Sequence, residues 1–145
     1  MKANGGFLVS KIKQLSDRVF ERILSEQKID AFNGAQGRIL YVLWQEDGVP
    51  IRTISEKCGL ALTSLTTMLE RMETAGLIVR RQDAEDRRKT LLFLTPRAKR
   101  LKPKYESVSE QMSAIFYKGF TKKEILEFEA ALERIKANLE GWKPE

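Results

Sequence analysis

Apolar side chains recur at helical spacing, every three or four residues, in three long stretches of the chain. The first stretch contains Leu8, Ile12, Leu15, Val19 and Ile23. The second contains Leu101, Tyr105, Val108, Met112 and Ile115. The third contains Ile125, Phe128, Leu132, Ile135, Leu139 and Trp142. The pattern predicts one long helix near the N-terminus and two near the C-terminus. The third stretch alternates steps of three and four without a break, which is typical of helices that pack lengthwise on a partner.

Shorter elements fill the middle of the chain. Asn33 with Gln36 resembles a capping box, and it predicts a helix that ends before Gly48 and Pro50. The inward face of that helix is expected to carry Ile39, Leu40, Leu43 and Trp44. Two further helical patterns follow at 52–58 and 62–75, separated by Gly59, which can adopt the left-handed conformation that ends a helix. Two short helices joined in this way indicate a helix-turn-helix.

Residues 77–82 and 90–95 read as two short strands around the charged loop 83–89, which predicts a β-hairpin with a basic tip. Thr95 and Pro96 are a typical N-cap and first helical residue, so a long helix should start there. Pro103 lies inside that helix and should kink it. Another capping box, Thr121 with Glu124, should open the last helix.

These elements predict a mainly α fold with a small β-hairpin wing (α+β), that is, a winged helix-turn-helix with long terminal helices. A chain of 145 residues is long enough for one such fold and too short for two ordinary domains. An α-helix fits the major groove of B-DNA, and arginines on an adjacent hairpin can reach the neighbouring minor groove. The order of elements therefore favours binding to double-stranded DNA.

The distribution of charge supports the same interpretation. The net charge is +6, but the segment from Arg71 to Lys104 contains eleven basic and four acidic residues and so carries +7, while the rest of the chain sums to −1. Such clustering is typical of a phosphate-binding face. The basic residues Arg97, Arg100 and Lys104 lie on one helical face, which we expect to serve solubility.

The composition disfavours an enzyme. There is no histidine, which excludes histidine-dependent triads and histidine-containing zinc sites, and no nucleophile–base pair or metal cluster stands out, so we expect no catalytic residues, metal or cofactor. The single cysteine, Cys58, cannot form an internal disulfide and is expected in the core. No run is long enough to span a bilayer, so we expect a cytoplasmic protein without a membrane partner.

Several short segments together carry a family resemblance. They are Ile54-Ser55-Glu56-Lys57-Cys58-Gly59-Leu60, Leu65-Thr66, Leu69-Glu70-Arg71-Met72-Glu73, Gly76-Leu77-Ile78, and Asp86-Arg87-Arg88 leading into Leu94-Thr95. In this order they resemble the MarR family of winged-helix regulators. The resemblance covers nearly the whole chain, including the long terminal helices.

The resemblance implies a homodimer with a helical dimerisation lobe, residues 1–32 and 97–145, and a DNA-binding lobe, residues 33–96. It implies major-groove contacts from the second helix of the helix-turn-helix, wing contacts from Arg87 and Arg88, and Asp86 as the residue that orients the arginines. With the neighbouring cations, the expected DNA-binding residues are Thr63, Ser64, Thr66, Thr67, Arg71, Asp86, Arg87, Arg88 and Lys89. The expected dimer-interface residues are Leu8, Ile12, Leu15, Met112, Ile115, Ile125, Phe128, Leu132, Ile135 and Leu139.

Two departures from the family concern the helix expected in the major groove. Ala61 and Leu62 stand where many relatives have a polar N-cap and a basic residue, and Thr67 replaces a frequent arginine. Two interpretations stay open: either major-groove readout is weaker than in those relatives, or it rests on hydroxyls and on contacts between threonine methyls and thymine methyls. A two-fold dimer also predicts a pseudo-palindromic site with half-sites roughly 34 Å apart.

The expected function is therefore a sequence-specific DNA-binding transcription regulator, in the form of a repressor that a small aromatic effector releases. Family resemblance implies an effector pocket between lobe and dimer helices, with Phe20, Trp44 and Tyr105 as candidate lining residues, although core packing is the role we favour for any one of them. Two alternatives stay open: the apolar stripes could pack within one chain, and the winged helix could bind protein without binding specific DNA.

Overall fold

The computed structural model describes residues 1–145, which form seven helices and a three-stranded sheet. The elements in chain order are α1 (Gly5–Glu26), α2 (Gly34–Gln45), β1 (Val49–Pro50), α3 (Ile51–Cys58), α4 (Leu62–Thr74), β2 (Ile78–Gln82), β3 (Thr90–Leu94), α5 (Pro96–Arg100), α6 (Lys102–Phe116) and α7 (Lys122–Glu140). The fold is the predicted one, mainly helical with a small wing. No helix is long and apolar enough to cross a membrane.

Both predicted capping boxes are confirmed. The Asn33 side chain accepts a hydrogen bond from the Gln36 amide at 2.8 Å, and the Gln36 side chain accepts one from the Asn33 amide at 3.1 Å. Thr121 and Glu124 form the same reciprocal pair at the start of α7, at 3.1 and 2.8 Å. Each box provides partners for amides that a helix start leaves free, so these starts are fixed by local sequence.

The wing has three strands where the sequence predicted two. The predicted hairpin is present, with Ile78 opposite Leu94 and Gln82 opposite Thr90. The additional strand β1 pairs with the other edge of β3, which makes β3 central. Its two residues are too few to produce an alternating pattern, and Pro50 donates no hydrogen bond, which suits an edge strand. The Asp47 carboxylate continues this edge by accepting a hydrogen bond from the Leu94 amide at 2.8 Å.

The long helix predicted from Pro96 onward is two helices rather than one kinked helix. The break falls at Leu101, whose amide bonds to the Ala98 carbonyl three residues back instead of four. Pro103 has no amide hydrogen and disfavours helical geometry in the residue before it, so the regular pattern stops one turn early and resumes in α6. Tyr105 donates its amide to the Leu101 carbonyl at 3.1 Å and restores the helical pattern.

The chain separates into two compact units, Met1–Glu110 and Gln111–Glu145. In the first unit the core lies between α2, α3, α4, the wing and α6. Its fully buried side chains include Ile39, Leu40, Leu43, Ile54, Leu65, Leu69, Met72, Leu77, Ile78, Leu92 and Val108. Cys58 is buried among them, as expected, and burial raises the pKa of its thiol.

The second unit contains the end of α6 and the whole of α7, joined by a turn in which Gly119 has a positive φ of 85°. A group of aromatic rings holds this turn: Tyr117 lies 5.7 Å from Phe120 and 6.2 Å from Phe128 between ring centroids. The Tyr117 hydroxyl donates to the Glu129 carboxylate at 2.6 Å, and this bond raises the pKa of Tyr117 to about 12.

Candidate nucleic-acid interface

Helix α4 presents a mainly polar face to solvent because three of its apolar residues are buried on the opposite side. Leu65, Leu69 and Met72 are buried at helical spacing against the rest of the unit. Five exposed residues on the other side of the helix form what we call the reading face: Thr63, Ser64, Thr66, Thr67 and Arg71. The five α4 residues predicted to contact DNA are thus brought together on one accessible surface.

The turn between α3 and α4 fixes the angle at which the reading face is presented. Gly59 has a φ of 65°, the left-handed conformation that glycine adopts without steric cost. The Ser55 hydroxyl donates to the Leu60 carbonyl at 2.6 Å, and the Leu60 amide donates to the Ser55 carbonyl at 3.1 Å. Helix α4 then begins without a side-chain cap, because Ala61 stands at that position.

The wing tip, residues 83–89, is a loop built from two local carboxylate turns. Asp83 accepts from the Glu85 amide at 2.9 Å, and Asp86 accepts from the Arg88 amide at 3.1 Å. Such bonds between an aspartate and the amide two residues on are the usual way in which aspartate stabilises a turn. The loop is closed at its base by the Asp83 amide, which donates to the Lys89 carbonyl at 3.0 Å.

Asp86 also holds the side chain of Arg88. Its two carboxylate oxygens accept from Nε at 3.0 Å and from Nη2 at 3.2 Å, a bidentate arrangement that fixes the plane of the guanidinium. These bonds lower the pKa of the Asp86 carboxyl. The Arg88 side chain is nevertheless 90% exposed, and Arg87 and Lys89 are exposed beside it. The wing tip therefore offers three cations to solvent, one of them oriented.

Beside the predicted N-cap bond of Thr95, two hydrogen bonds that the sequence did not predict anchor the end of α4, one from Thr95 and one from Arg97. The Thr95 hydroxyl donates to the Gly76 carbonyl at 2.6 Å and accepts from the Ala98 amide at 3.2 Å, and Arg97 donates to the Ala75 carbonyl. Arg97 was expected only to keep α5 soluble, whereas the structure shows it bonded to the end of α4. The contact joins residues 22 positions apart, so no local pattern could reveal it.

The base of the wing is packed partly through arginines. Arg80 on β2 lies beside the last turn of α4, with its Nε 3.5 Å from a Glu73 carboxylate oxygen. Its Nε and Nη2 are buried and have no hydrogen-bond partner, so only the ion pair offsets their loss of water. The guanidinium of Arg81 lies over the Phe93 ring, 5.5 Å from the centroid.

The three candidate effector residues lie close together in a group of aromatic rings centred on Tyr105. Ring centroids lie 5.3 Å from Tyr105 for Trp44 and 6.0 Å for Phe20, with Phe32 and Tyr41 also adjacent. Burial raises the pKa of the Tyr105 hydroxyl. The Trp44 indole donates to the Ala98 carbonyl at 3.1 Å, so this side chain also ties α2 to α5.

A cleft of about 300 Å³ lies next to this group, between the end of α1 and the start of α2. It contains none of the three candidate residues. Its walls are formed by Glu21, Leu24, Ser25, Ile29, Asp30, Phe32, Asn33 and Gln36. Phe32 is common to the cleft and to the aromatic group, so the two are neighbours.

The residues predicted at the dimer interface leave much apolar surface uncovered in a single chain. On α1, Leu8, Ile12 and Leu15 are exposed, and no residue of α7 is buried. Ile115, Ile135 and Leu139 are exposed as well, with Leu139 at 71%. The other predicted interface residues, Met112, Ile125, Phe128 and Leu132, are half-buried.

The fold and the site define a class. Two short helices separated by a left-handed glycine, followed by a three-stranded wing with a cationic tip, make a winged helix-turn-helix. Residues 32–90 match the model of the MarR family, a segment that contains the reading face and the wing tip. This segment is less than half of the chain, and over it the chain is similar to the MarR family of winged helix-turn-helix transcription regulators, the family that the sequence motifs resemble.

Individual relatives match more distantly. The HTH-type transcriptional regulator TtmR of Methylorubrum extorquens is 35% identical over a stretch that covers 47% of this chain and 35% of that regulator. The chain spans less than half the length of the first curated relatives it matches.

Two solved structures share the fold over almost the whole chain. A MarR family regulator from Listeria monocytogenes, solved with a 26-mer DNA, is 22% identical, has a TM-score of 0.83 and covers 100% of this chain and 99% of its own. Bordetella bronchiseptica BpsR, whose DNA binding is regulated by 6-hydroxynicotinic acid, is 20% identical, has a TM-score of 0.81 and covers 92% of this chain and 99% of its own. At these identities the likeness establishes the fold.

Proposed function

We propose that the protein is a transcription regulator that binds double-stranded DNA as a homodimer, through the reading face and the wing tip. The observation that carries this proposal is the pairing of two exposed elements in one unit: a helix with a hydroxyl-rich outer face and an adjacent loop with three exposed cations. A helix of this kind fits the major groove, and the arginines are suited to the phosphates and the narrow groove beside it. We also propose a cytoplasmic location, which a free cysteine suits.

A salt titration tests this proposal and separates it from the alternative of a protein-binding module. Fluorescence anisotropy of a labelled duplex should give a log Kd that rises with log salt concentration, with a slope of about 0.9 per phosphate neutralised. The variant Arg87→Ala/Arg88→Ala should bind more weakly, with a slope smaller by about two. A duplex that fails to bind at low salt, or a flat titration, contradicts the proposal.

A matched control removes two cations elsewhere. Lys123 and Arg134 are exposed on α7, outside the seam of apolar residues, so Lys123→Ala/Arg134→Ala changes the net charge by the same amount. Its salt slope should stay within about half a unit of the unsubstituted protein. An equal loss in both double variants would mean that net charge alone, and no defined wing contact, is responsible.

The homodimer part of the proposal rests on the exposed apolar faces of α1 and α7. Leu139 lies in the apolar seam of α7, while Leu126, 61% exposed, lies outside it. Leu139→Glu should therefore shift the protein from dimer to monomer in light scattering at micromolar concentration, and Leu126→Glu should not, because only the first buries a charge in an interface. A monomeric unsubstituted protein rejects the dimer.

We further propose that the regulator is a repressor and that a small aromatic ligand releases it from DNA. The site we favour is the aromatic group of Phe20, Trp44 and Tyr105 with the adjoining cleft. The aromatic group connects α1 and α2 to the α5–α6 segment that follows the wing. A ligand can shift the dimer only if it binds one arrangement of the lobes more tightly than the other. A panel of aromatic acids should therefore contain compounds that both raise the melting temperature and weaken DNA binding. A panel without such a compound contradicts the effector part and leaves DNA binding intact.

A further inference from the structure

We infer that the start of α4 recognises thymine by its methyl group, and that Leu62 and Thr66 are the residues that determine this specificity. The inference rests on the proposed DNA binding and adds to it the kind of base that the helix selects. It follows from three features of the first two turns of α4: which side chains are absent, how one hydroxyl is used, and which apolar groups are exposed.

The first feature is the lack of side chains that make bidentate hydrogen bonds to purines. From Ala61 to Leu69 the sequence is Ala-Leu-Thr-Ser-Leu-Thr-Thr-Met-Leu, with no charged residue and no amide. Specific contacts to guanine use arginine or lysine, and those to adenine use asparagine or glutamine. The N-terminal residues of a recognition helix are the ones that reach base edges, and the first basic side chain on α4 is Arg71, more than two turns along. Purines therefore have no bidentate partner at this end of the helix.

The second feature is the engagement of the Thr66 hydroxyl. Its Oγ1 donates to the Leu62 carbonyl at 2.8 Å, within the helix itself. A threonine hydroxyl has one proton, so Thr66 has no donor left for a base. What it still offers to an approaching groove is its methyl group and the lone pairs of the oxygen.

The third feature is the exposed leucine one turn earlier. Leu62 is 49% exposed at the start of α4, so part of this apolar residue remains open to solvent. Residues four apart are neighbours on a helix surface, so the Leu62 side chain and the Thr66 methyl form one small apolar surface on an otherwise hydroxyl-bearing face. In the major groove the matching apolar group is the C5 methyl of thymine, which no other base of unmodified DNA carries.

The size of the effect follows from the burial of one methyl group. Removing a buried methyl costs a factor of about four in affinity. A two-fold dimer makes each contact twice, so removing one contacted methyl from each half-site should weaken binding by about fifteenfold.

The experiment exchanges thymine for uracil, which removes only the methyl. A binding duplex is first selected from a random pool with the full-length protein, and each thymine position in the two half-sites is then replaced symmetrically by deoxyuridine. We expect at least one position at which uracil weakens binding by about fifteenfold. At that position Thr66→Ser or Leu62→Ala should bind the two duplexes equally, because the protein partner of the methyl has been removed.

Two control variants assign the effect to the methyl group. Thr66→Val keeps a methyl and removes the hydroxyl, so it should still distinguish thymine from uracil. Thr74→Ser makes the same chemical change as Thr66→Ser at the far end of α4 and should also keep the distinction. If uracil changes nothing at any position, or if Thr66→Ser and Leu62→Ala both retain the full difference, the inference is wrong although DNA binding stands. If no duplex can be selected at all, the proposed function fails instead.

Discussion

Thr95 is the residue whose removal most directly tests how the end of α4 is held. Its single hydroxyl has two functions: it caps α5 by accepting from the Ala98 amide at 3.2 Å, and it donates to the Gly76 carbonyl at 2.6 Å. An N-cap is worth about 1 kcal/mol, and an ordinary intramolecular hydrogen bond about 1 kcal/mol more. Thr95→Ala should therefore lower the free energy of unfolding by about 2 kcal/mol.

Thr95→Ser provides the matched comparison because it keeps the hydroxyl and removes only a methyl group. We expect it to lose less than about 0.5 kcal/mol, since both hydrogen bonds can still form. The two variants then separate the hydroxyl from the general effect of changing a half-buried side chain at this position.

Urea denaturation followed by tryptophan fluorescence measures the difference. With a slope of about 2 kcal/mol per molar urea, the expected loss in Thr95→Ala lowers the midpoint by about 1 M. All samples must have the same protein concentration, because the apparent stability of a dimer depends on it. A midpoint change below about 0.25 M, or equal changes in the two variants, would refute the assignment of the two bonds.

Three further outcomes follow from local geometry. Asp86→Ala should weaken duplex binding about fivefold in anisotropy measurements, because Arg88 loses the bonds that orient its guanidinium. The substitution also makes the protein more cationic, so stronger binding would mean that charge alone matters. Gly59→Ala should cost about 1 kcal/mol in urea denaturation, from the positive φ alone, since no atom lies within 4 Å of the added Cβ; a neutral change would contradict this. In phenolate absorbance Tyr117 should titrate near pH 12, and in Glu129→Gln it should titrate nearer its ordinary value. Because the folded pKa of Tyr117 is raised to about 12, the stability from its bond to Glu129 is present below pH 10 and is lost as the pH approaches 12.

The parts of the fold that the sequence predicted are those that depend on neighbouring residues. The capping boxes at Asn33 and Thr121, the glycine turn at Gly59 and the reading face of α4 all follow from contacts within four residues or from helical periodicity. The orienting bond between Asp86 and Arg88 is local as well, although it was expected from the family resemblance rather than from spacing. Such features can be read from one sequence, since their physical causes lie within a single element.

The parts that were missed depend on residues distant in the chain. Strand β1 exists only because β3 offers it an edge, with Val49 opposite Leu92. The contact from Arg97 to the Ala75 carbonyl requires the wing to fold back first. The aromatic group shows the same limit: the three candidate residues do meet, but the position of the neighbouring cleft depends on how α1 packs on α2. The sequence can identify an aromatic residue as a candidate for lining a pocket, but only the packing of the helices determines what that residue contacts.

The two exposed surfaces of this chain differ in chemistry, and that difference makes them separable in one experiment. The cations are concentrated between Arg71 and Lys104, whereas the uncovered apolar side chains lie mainly on α1, the end of α6 and α7. Binding through the cations weakens as salt rises, because releasing counterions from DNA gains less entropy when the solution already contains more salt. Association through apolar faces is not weakened by screening and is favoured by salting-out ions. Raising the salt concentration should thus release the DNA and leave the proposed dimer intact. Substitutions in the α7 seam should instead dissociate the dimer into monomers at every salt concentration. If salt separated the two chains at the same concentration at which it released the DNA, the dimer would depend on the DNA rather than on its own helices.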